Sequence, residues 1–225
     1  NSHLLLLTFK PNRHCLGTMA FRNLLDGVQR IDTEVSAIHE IFDHSTTKKH
    51  PPLLFTKITE APGHHSALNV LTRQRICDVF DVSAGELIDI LAWAMNNPSE
   101  PQIIDATHAP VLENTFDEVN LLKIPIPWHY REDRGRYQSA SVIIAEYQGI
   151  RNMSYHRQFL RDENHCVSRF VPRHLRTMVD LAASNGEEVN IAVVNGADSV
   201  VLLAAAMSFT ENIDELKVAA ALHER

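Results

Sequence analysis

RNMSYHRQFLRDENHCVSRFVPRHL, Arg151 to Leu175, decides how this chain folds. From Asn152 to Leu160 the side-chain types alternate, with Met153, Tyr155 and Phe159 interspersed among Asn152, Ser154, His156, Arg157 and Gln158, which reads as strand. RDEN, Arg161 to Asn164, is a polar turn, and HCVSRFV returns as a second short strand, giving a hairpin signature. Arg173 and His174 then open a helical pattern. A hairpin presenting Asn152, Arg157, Arg169 and His174 on a common side would make a cationic, hydrogen-bonding wall. Such a wall suits a phosphate, a carboxylate or a metal-bridged phosphate. The same residues also fit a solvated hairpin face.

Outward from that stretch, SASVIIAEY (139–147) is a clean strand ended by Gln148-Gly149. PRHLRTMVDLAASNG (172–186) is a helix with Asn185-Gly186 as its stop. VNIAVVNG (189–196) reads as a buried strand, DSVVLLAAAM (198–207) as a helix, and the last helix follows a loop that starts at Ser208. Upstream, AFRNLLDG (20–27) is a short helix closed by Gly27, and SAIHEIFDH (36–44) is a helix with Ile38, Ile41 and Phe42 on one face. His39-Glu40 fails as a zincin motif because Asp43 stands where the second histidine belongs. LLFTKI (53–58) is a short buried strand, and adjacent His64 and His65 on an extended piece point opposite ways. LTRQRICDVFDV (71–82) is amphipathic with Leu71, Ile76, Val79 and Phe80 inward. Ser83 and Glu86 form a capping box for ELIDILAWAMNN (86–97), whose Trp93 reads as core. NPSEP (97–101) marks a boundary, QIIDATHAPVLE (102–113) alternates like strands, and the prolines of LLKIPIPWHYREDRGRYQ (121–138) make that run an edge or an irregular segment. The expected class is mixed α/β: an upstream or appended segment at 1–18, an N-terminal αβ region at 19–100 and a β-rich region at 101–225.

The totals narrow the function. The chain has 225 residues, 44% of them hydrophobic, enough for a real core. A net charge of −7 argues against a general nucleic-acid binder, since no basic field exists to release counterions. Cys15, Cys77 and Cys166 are too far apart for a zinc pattern or a disulfide framework, which points to a reducing compartment, the cytoplasm. No apolar run approaches the roughly 20 residues that span a bilayer. With only 8 glycines there is no GxGxxG, P-loop or GxSxG.

RNMSYHRQ, SRFVPRHL, VVNGADSVVLLAAAM and NIDELKVAAAL, taken in order, resemble the UbiD-type decarboxylases, which use prenylated FMN. RIDTEVS, RQRICDVFDVSAGELIDILAWAM and DEVNLLKIPIP look like the first half of the same family, so the resemblance runs from Met19 onward. It implies a split β-barrel, flavin reductase-like cofactor-binding domain over 101–225. It implies that Asn152, His174 and Glu215 hold Mn2+ or Mg2+ against the cofactor phosphate, with K+ beside it near the backbone at Met207. Amide, imidazole and carboxylate suit those ions better than structural zinc. Flavin contacts fall on Tyr155, His156, Arg157, Arg169, Phe170, Val171, His174 and Leu175. Arg157 is implied as the catalytic arginine that pairs with the substrate carboxylate, a task for a planar fork. The implied reaction is reversible, non-oxidative decarboxylation of an aromatic or α,β-unsaturated acid, with a prenyl-FMN synthase supplying the cofactor and a homo-oligomer or a second-half subunit as partner. The family's proton-returning acid is expected past Arg225. The alternatives are a non-catalytic flavin-binding or assembly subunit and, more weakly, a flavin reductase-like barrel using plain FMN.

Overall fold

The computed structural model describes residues 21–45, 51–112, 114–209 and 213–224. The expectations for 1–18, for the 46–50 loop and for Thr210 to Asn212 lie outside them. Among the described residues the strands form three three-stranded sheets, and the mixed α/β class holds.

The first sheet joins β1 (Gln29–Ile31), β2 (Leu53–Phe55) and β3 (Ser66–Leu68), with β1 parallel and β3 antiparallel to β2. β2 is buried at every position, as its apolar run predicts. Its cluster of Val35, Ala37, Ile41, Phe55 and Ile58 fills one side. Helix α1 (Glu40–Ser45) begins later than the sequence suggests. Ile38 stands before it, 44% exposed, in an isolated bridge to Trp128, because His39 adopts φ 72° and cannot continue a helix. Helix α2 (Arg73–Phe80) is capped by Thr72 and buries Cys77; Val79 and Phe80 pack half-buried against the core as expected and Ile76 is half-buried, whereas Leu71 lies outside the helix, 40% exposed. Helix α3 (Ala84–Asn96) carries the full capping box: Ser83 accepts from Glu86 N–H and the Glu86 carboxylate accepts from Ser83 N–H. Ser83→Ala is expected to cost about 1 kcal/mol in a urea unfolding titration. QIIDATHAPVLE forms 3-10 turns at Ala106–His108 and Pro110–Leu112 instead of strands, since Asp105 caps a turn through Thr107 N–H and Pro110 cannot donate to a ladder.

The second sheet joins β4 (Tyr137–Gln138), β7 (Gln158–Leu160) and β8 (Cys166–Ser168). The third runs in the order β6 (Ile150–Tyr155), β5 (Val142–Tyr147), β9 (Ile191–Val194), all antiparallel. Gln148 (φ 52°) and Gly149 (φ 78°) make the tight turn between β5 and β6, the two left-handed residues that a right-twisted two-residue hairpin requires. The single strand expected from Asn152 to Leu160 is broken at His156-Arg157, and its halves enter different sheets. The β7–β8 hairpin forms, with Leu160 opposite Cys166. The common wall of Asn152, Arg157, Arg169 and His174 does not form on it: Asn152 belongs to the other sheet, and His174 opens a helix.

That helix, α4 (His174–Ser184), covers Ile143 and Ala145 on one face of the third sheet with Leu175 and Met178. Helices α5 (Ser199–Ala206) and α6 (Glu215–His223) cover the other face. SVVLLAAA is apolar all round, so α5 is buried, and Ala204 and Ala205 share its core cluster with Ala219 and Ala221 of α6. β9 alternates instead of being buried: Ala192 faces in, while Ile191 and Val193 are 43% and 37% exposed.

Candidate active site

β6 is an edge strand, so every second backbone N–H on it has no strand partner. Met153 N–H is one of these, and it donates to Glu215 Oε2 at 2.8 Å. Asn152 Nδ2 donates to Glu215 Oε1 at 2.9 Å, across 63 positions of sequence. Asn152 is 5% and Glu215 3% exposed. One carboxylate from the first turn of α6 thus closes the open edge of the sheet. Burial pushes the Glu215 carboxyl up to about 7, and the neighbouring Asp214 charge adds to that; Met153 N–H, its own backbone and the Asn152 amide oppose it. Glu60, the counterexample, is also pushed up by burial but is held below the ordinary carboxylate range by the Ser36 hydroxyl, Ala37 N–H and the field of Arg136.

The α6 terminus is fixed by Asp214, which accepts from Leu216 N–H at 2.9 Å. Arg151 pairs with Asp214 and with Glu146, each at 3.1 Å, tying the β5–β6 hairpin to the start of α6. Ser154, two residues beyond Asn152 and so on the same strand face, donates to Asn152 Oδ1 at 3.0 Å and lies 3.0 Å from His156 Nε2. Burial holds the His156 imidazole low, opposed by a hydrogen bond that the ring donates to the Arg169 backbone, and its ring meets Phe170 edge-on at 4.9 Å. Ser154, Arg151 and Asp214 were missed from the sequence; the i, i+2 spacing of Asn152, Ser154 and His156 is the one signal that could have found the serine.

The other expected residues are more scattered. Among the described residues no hydrogen bond joins His174 to Asn152 or Glu215, and no three His, Cys, Asp or Glu side chains cluster as a metal site. His174 opens α4 behind Arg173, an N-terminus without a side-chain cap; Arg173 Nη1 reaches Ser208 Oγ at 3.5 Å, next to Met207 at the end of α5. Leu175 is 2% exposed and spends its side chain on the core, leaving only its backbone for a ligand. Arg169 and Val171 are exposed. Arg157 is exposed too, and its guanidinium lies 4.9 Å from the centre of the Tyr137 ring. Tyr137 contacts Phe159, and Arg134 lies over Phe159 at 5.3 Å, so rings and guanidinium groups alternate across β4 and β7. Gly135 leaves room for this, since a Cβ there would come within 3.0 Å of Phe159 Cε2.

A cleft of about 1170 Å³ opens elsewhere, lined by Leu54, His64, Ile126, Tyr137, Tyr155 and Asn195, among others. Neither Asn152, Arg157, His174 nor Glu215 lines it, so this cleft and the buried carboxylate–amide pair are different places. The pair has the donors for an ion; the cleft, mostly apolar and, among the described residues, without lysine or arginine in its wall, has the shape for an apolar body. Tyr155 connects the two: it follows Ser154 on β6, lines the cleft, and donates its hydroxyl to Leu202 O at 3.1 Å. Burial pushes that phenol up to about 12, so it stays a neutral donor. No helix among the described residues is long and apolar enough to cross a membrane.

Residues 102–225 match the family model described as the UbiD 3-octaprenyl-4-hydroxybenzoate carboxy-lyase Rift-related domain. The chain is 31% identical over 213 residues to an anhydromevalonate phosphate decarboxylase of Methanothermobacter thermautotrophicus, covering 90% of this chain and 48% of that protein. It is 30% identical over 171 residues to the Methanosarcina mazei protein of the same name, covering 74% and 39%. Among solved structures it is similar to an evolved dimeric form of the UbiD-class enzyme HmfF from Pelotomaculum thermopropionicum in complex with prFMN, with a TM-score of 0.84, 28% identity, and 91% and 50% of the two chains covered. The Sedimentibacter hydroxybenzoicus vanillic acid decarboxylase in its closed form, 18% identical with a TM-score of 0.82, shares the fold. The chain spans about half the length of the curated relatives it matches, or less.

Proposed function

The chain belongs to the UbiD family, and from that premise we propose that it is the cofactor-binding half of a decarboxylase acting on an aromatic or α,β-unsaturated carboxylic acid with prenylated FMN. The observation that carries the proposal is the buried Asn152–Glu215 pair, two side chains from β6 and α6 that each carry a metal-compatible oxygen and meet here through the Asn152 amide nitrogen. The donor chemistry fits a divalent ion: Glu215 suffers mainly from burial, and a cation against its carboxylate would offset that cost. Asn152, through Oδ1, and Glu215 would hold Mn2+ or Mg2+ with His174, and the backbone around Met207 would face K+. We read the second and third sheets as the two parts of a split barrel, with the domain boundary near residue 100.

The flavin, when bound, supplies an electron-accepting ring for loss of carbon dioxide. The chain's own residues supply orientation. Tyr155, His156, Arg169, Phe170 and Val171, with the backbone of Leu175, form the flavin-facing surface. Arg157 pairs with the substrate carboxylate, steadied by the Tyr137 ring. The apolar body of the acid then has the neighbouring cleft, reached past Tyr137. A prenyl-FMN synthase would supply the cofactor. The isolated cysteines suit a cytoplasmic enzyme.

Reconstitution with prenylated FMN, Mn2+ and K+ tests this. The chain is expected to retain flavin by absorbance, and Asn152→Ala to weaken retention roughly tenfold, the loss of one ion-directed contact. Equal retention by both proteins would overturn the metal assignment. Because the chain spans half its relatives' length, a second reading is a flavin-binding or assembly subunit without turnover. Decarboxylation of a panel of aromatic and acrylic acids by the isolated chain would dismiss that reading.

A further inference from the structure

Glu215, Asn152, Ser154 and His156 form one hydrogen-bonded row, and its two ends ask for opposite polarity. At the Glu215 end an ionised carboxylate can only accept, so Asn152 turns its Nδ2 donor to Oε1 at 2.9 Å and leaves Oδ1 facing Ser154. Oδ1 also can only accept, so the Ser154 hydroxyl spends its single proton there, at 3.0 Å. At the other end His156 Nε2 lies 3.0 Å from the same hydroxyl, and the ring also donates to the Arg169 backbone. With Nε2 turned to Ser154, the donor to Arg169 is Nδ1–H. Burial favours the neutral imidazole, and a neutral ring has one N–H. Spent on Arg169, it leaves Nε2 an acceptor. Nε2 then needs the proton that Ser154 has already given to Asn152, and one hydroxyl cannot serve both.

We infer that Ser154 and His156 are positioning residues for the ion, and that through them the Asn152 amide turns over when a divalent cation enters. The inference rests on the ion site proposed between Asn152 and Glu215. That site needs Oδ1 beside the carboxylate, and Nδ2 stands there instead. A cation repels the N–H groups of Nδ2 and attracts Oδ1. A half-turn of the amide exchanges the two atoms at almost unchanged shape. Nδ2 then donates to Ser154 Oγ, the hydroxyl turns its proton to His156 Nε2, and Nδ1–H stays on Arg169. Every group in the row is then paired, and Oδ1 faces the ion. A hydroxyl can reverse roles in place, being donor and acceptor at once. The i, i+2, i+4 spacing of Asn152, Ser154 and His156 keeps the three on one strand face, as the exchange requires. Groups that orient a ligand from behind in this way set the affinity of an ion without touching it.

Two measurements on the chain itself test this, at about pH 8, where an imidazole is neutral. Nitrogen NMR shifts of the His156 ring, assigned with His156→Gln, report which ring nitrogen carries the proton. Nε2 is expected to be protonated in EDTA and unprotonated in saturating Mg2+. Nε2 in the same state in both would overturn the inference. Mn2+ affinity, read from the EPR signal of the free ion, is expected to fall roughly tenfold in Ser154→Ala. Ser154→Thr keeps the hydroxyl and should bind Mn2+ within about threefold of the parent. A serine that only supports the fold would lower the melting temperature in Ser154→Ala and leave Mn2+ affinity unmoved. That result would overturn the inference, as would equally weak binding by the alanine and threonine variants. The two readings fail differently. A parent that binds Mn2+ with Nε2 unchanged sinks the relay and spares the proposed ion site, whereas a parent that binds no Mn2+ sinks both.

Discussion

Arg157→Ala in the flavin-loaded, turnover-competent enzyme is expected to lower kcat/KM by roughly 100-fold, the loss of a charge-assisted pair with the substrate carboxylate. The guanidinium is free for that task. Among the described residues it has no carboxylate partner and rests on an aromatic face instead. A ring holds a guanidinium in place without competing for its N–H donors, which stay available for an anion. Two graded variants separate charge from geometry. Arg157→Lys keeps the charge but loses the fork, and should recover only part of the activity. Tyr137→Phe keeps the ring and should be near normal, whereas Tyr137→Leu should raise KM several-fold at little change in flavin retention. If Arg157→Ala leaves kcat/KM within a factor of three for every acid turned over, the arginine is a surface residue and the carboxylate is bound elsewhere.

The residues that were legible in the sequence are those whose signal is local. Ser83 and Glu86 announce a helix start because both ends of the capping box lie within four residues. Gln148-Gly149 announces the end of a strand, and the structure shows there a hairpin turn whose left-handed backbone suits that glycine. The break at His156-Arg157 carries a weaker mark: no glycine or proline stands at it, and only the lapse of the alternation into three consecutive polar residues, His156, Arg157 and Gln158, accompanies the change of sheet. Gln158 ends in the second sheet, its amide on Ser141, 17 positions upstream. Closure of the β6 edge was illegible for a deeper reason. Pairing a carboxylate with an N–H 62 positions away depends on which strand is the edge, and that is decided by topology, not by the residues near Met153. Glu215 was found only because whole motifs resembled a family, whereas Asn152 was already singled out by the strand pattern. The resemblance implied one ion shared by both; the direct hydrogen bond between them is what the structure adds.

Glu215 makes the metal-free chain lose stability as pH rises. Its ordinary value is 4.5 and its folded value about 7, so between those limits the folded state holds a proton that the unfolded state has released. The stabilising contribution is complete below about pH 4.5 and is lost as pH climbs through 7. A displacement of that size corresponds to about 3 kcal/mol, and the side chain is too buried for solvent to reduce it much. Asp198, also pushed up by burial, contributes in the same direction, and His156, held low, contributes in the opposite one. The difference between the parent chain and Glu215→Gln cancels both. In EDTA, urea midpoints for the parent should fall between pH 5 and 8, while those for Glu215→Gln, the neutral isostere of the protonated carboxyl that the parent holds at pH 5, should start near the parent's and fall less. Mn2+ should reverse the parent's loss, and more strongly at pH 8 than at pH 5, since the ion needs the carboxylate that acid neutralises. Parallel pH slopes for parent and variant, together with equal Mn2+ responses, would mean that Glu215 is an ordinary helix-end acid whose only work is closing the sheet edge.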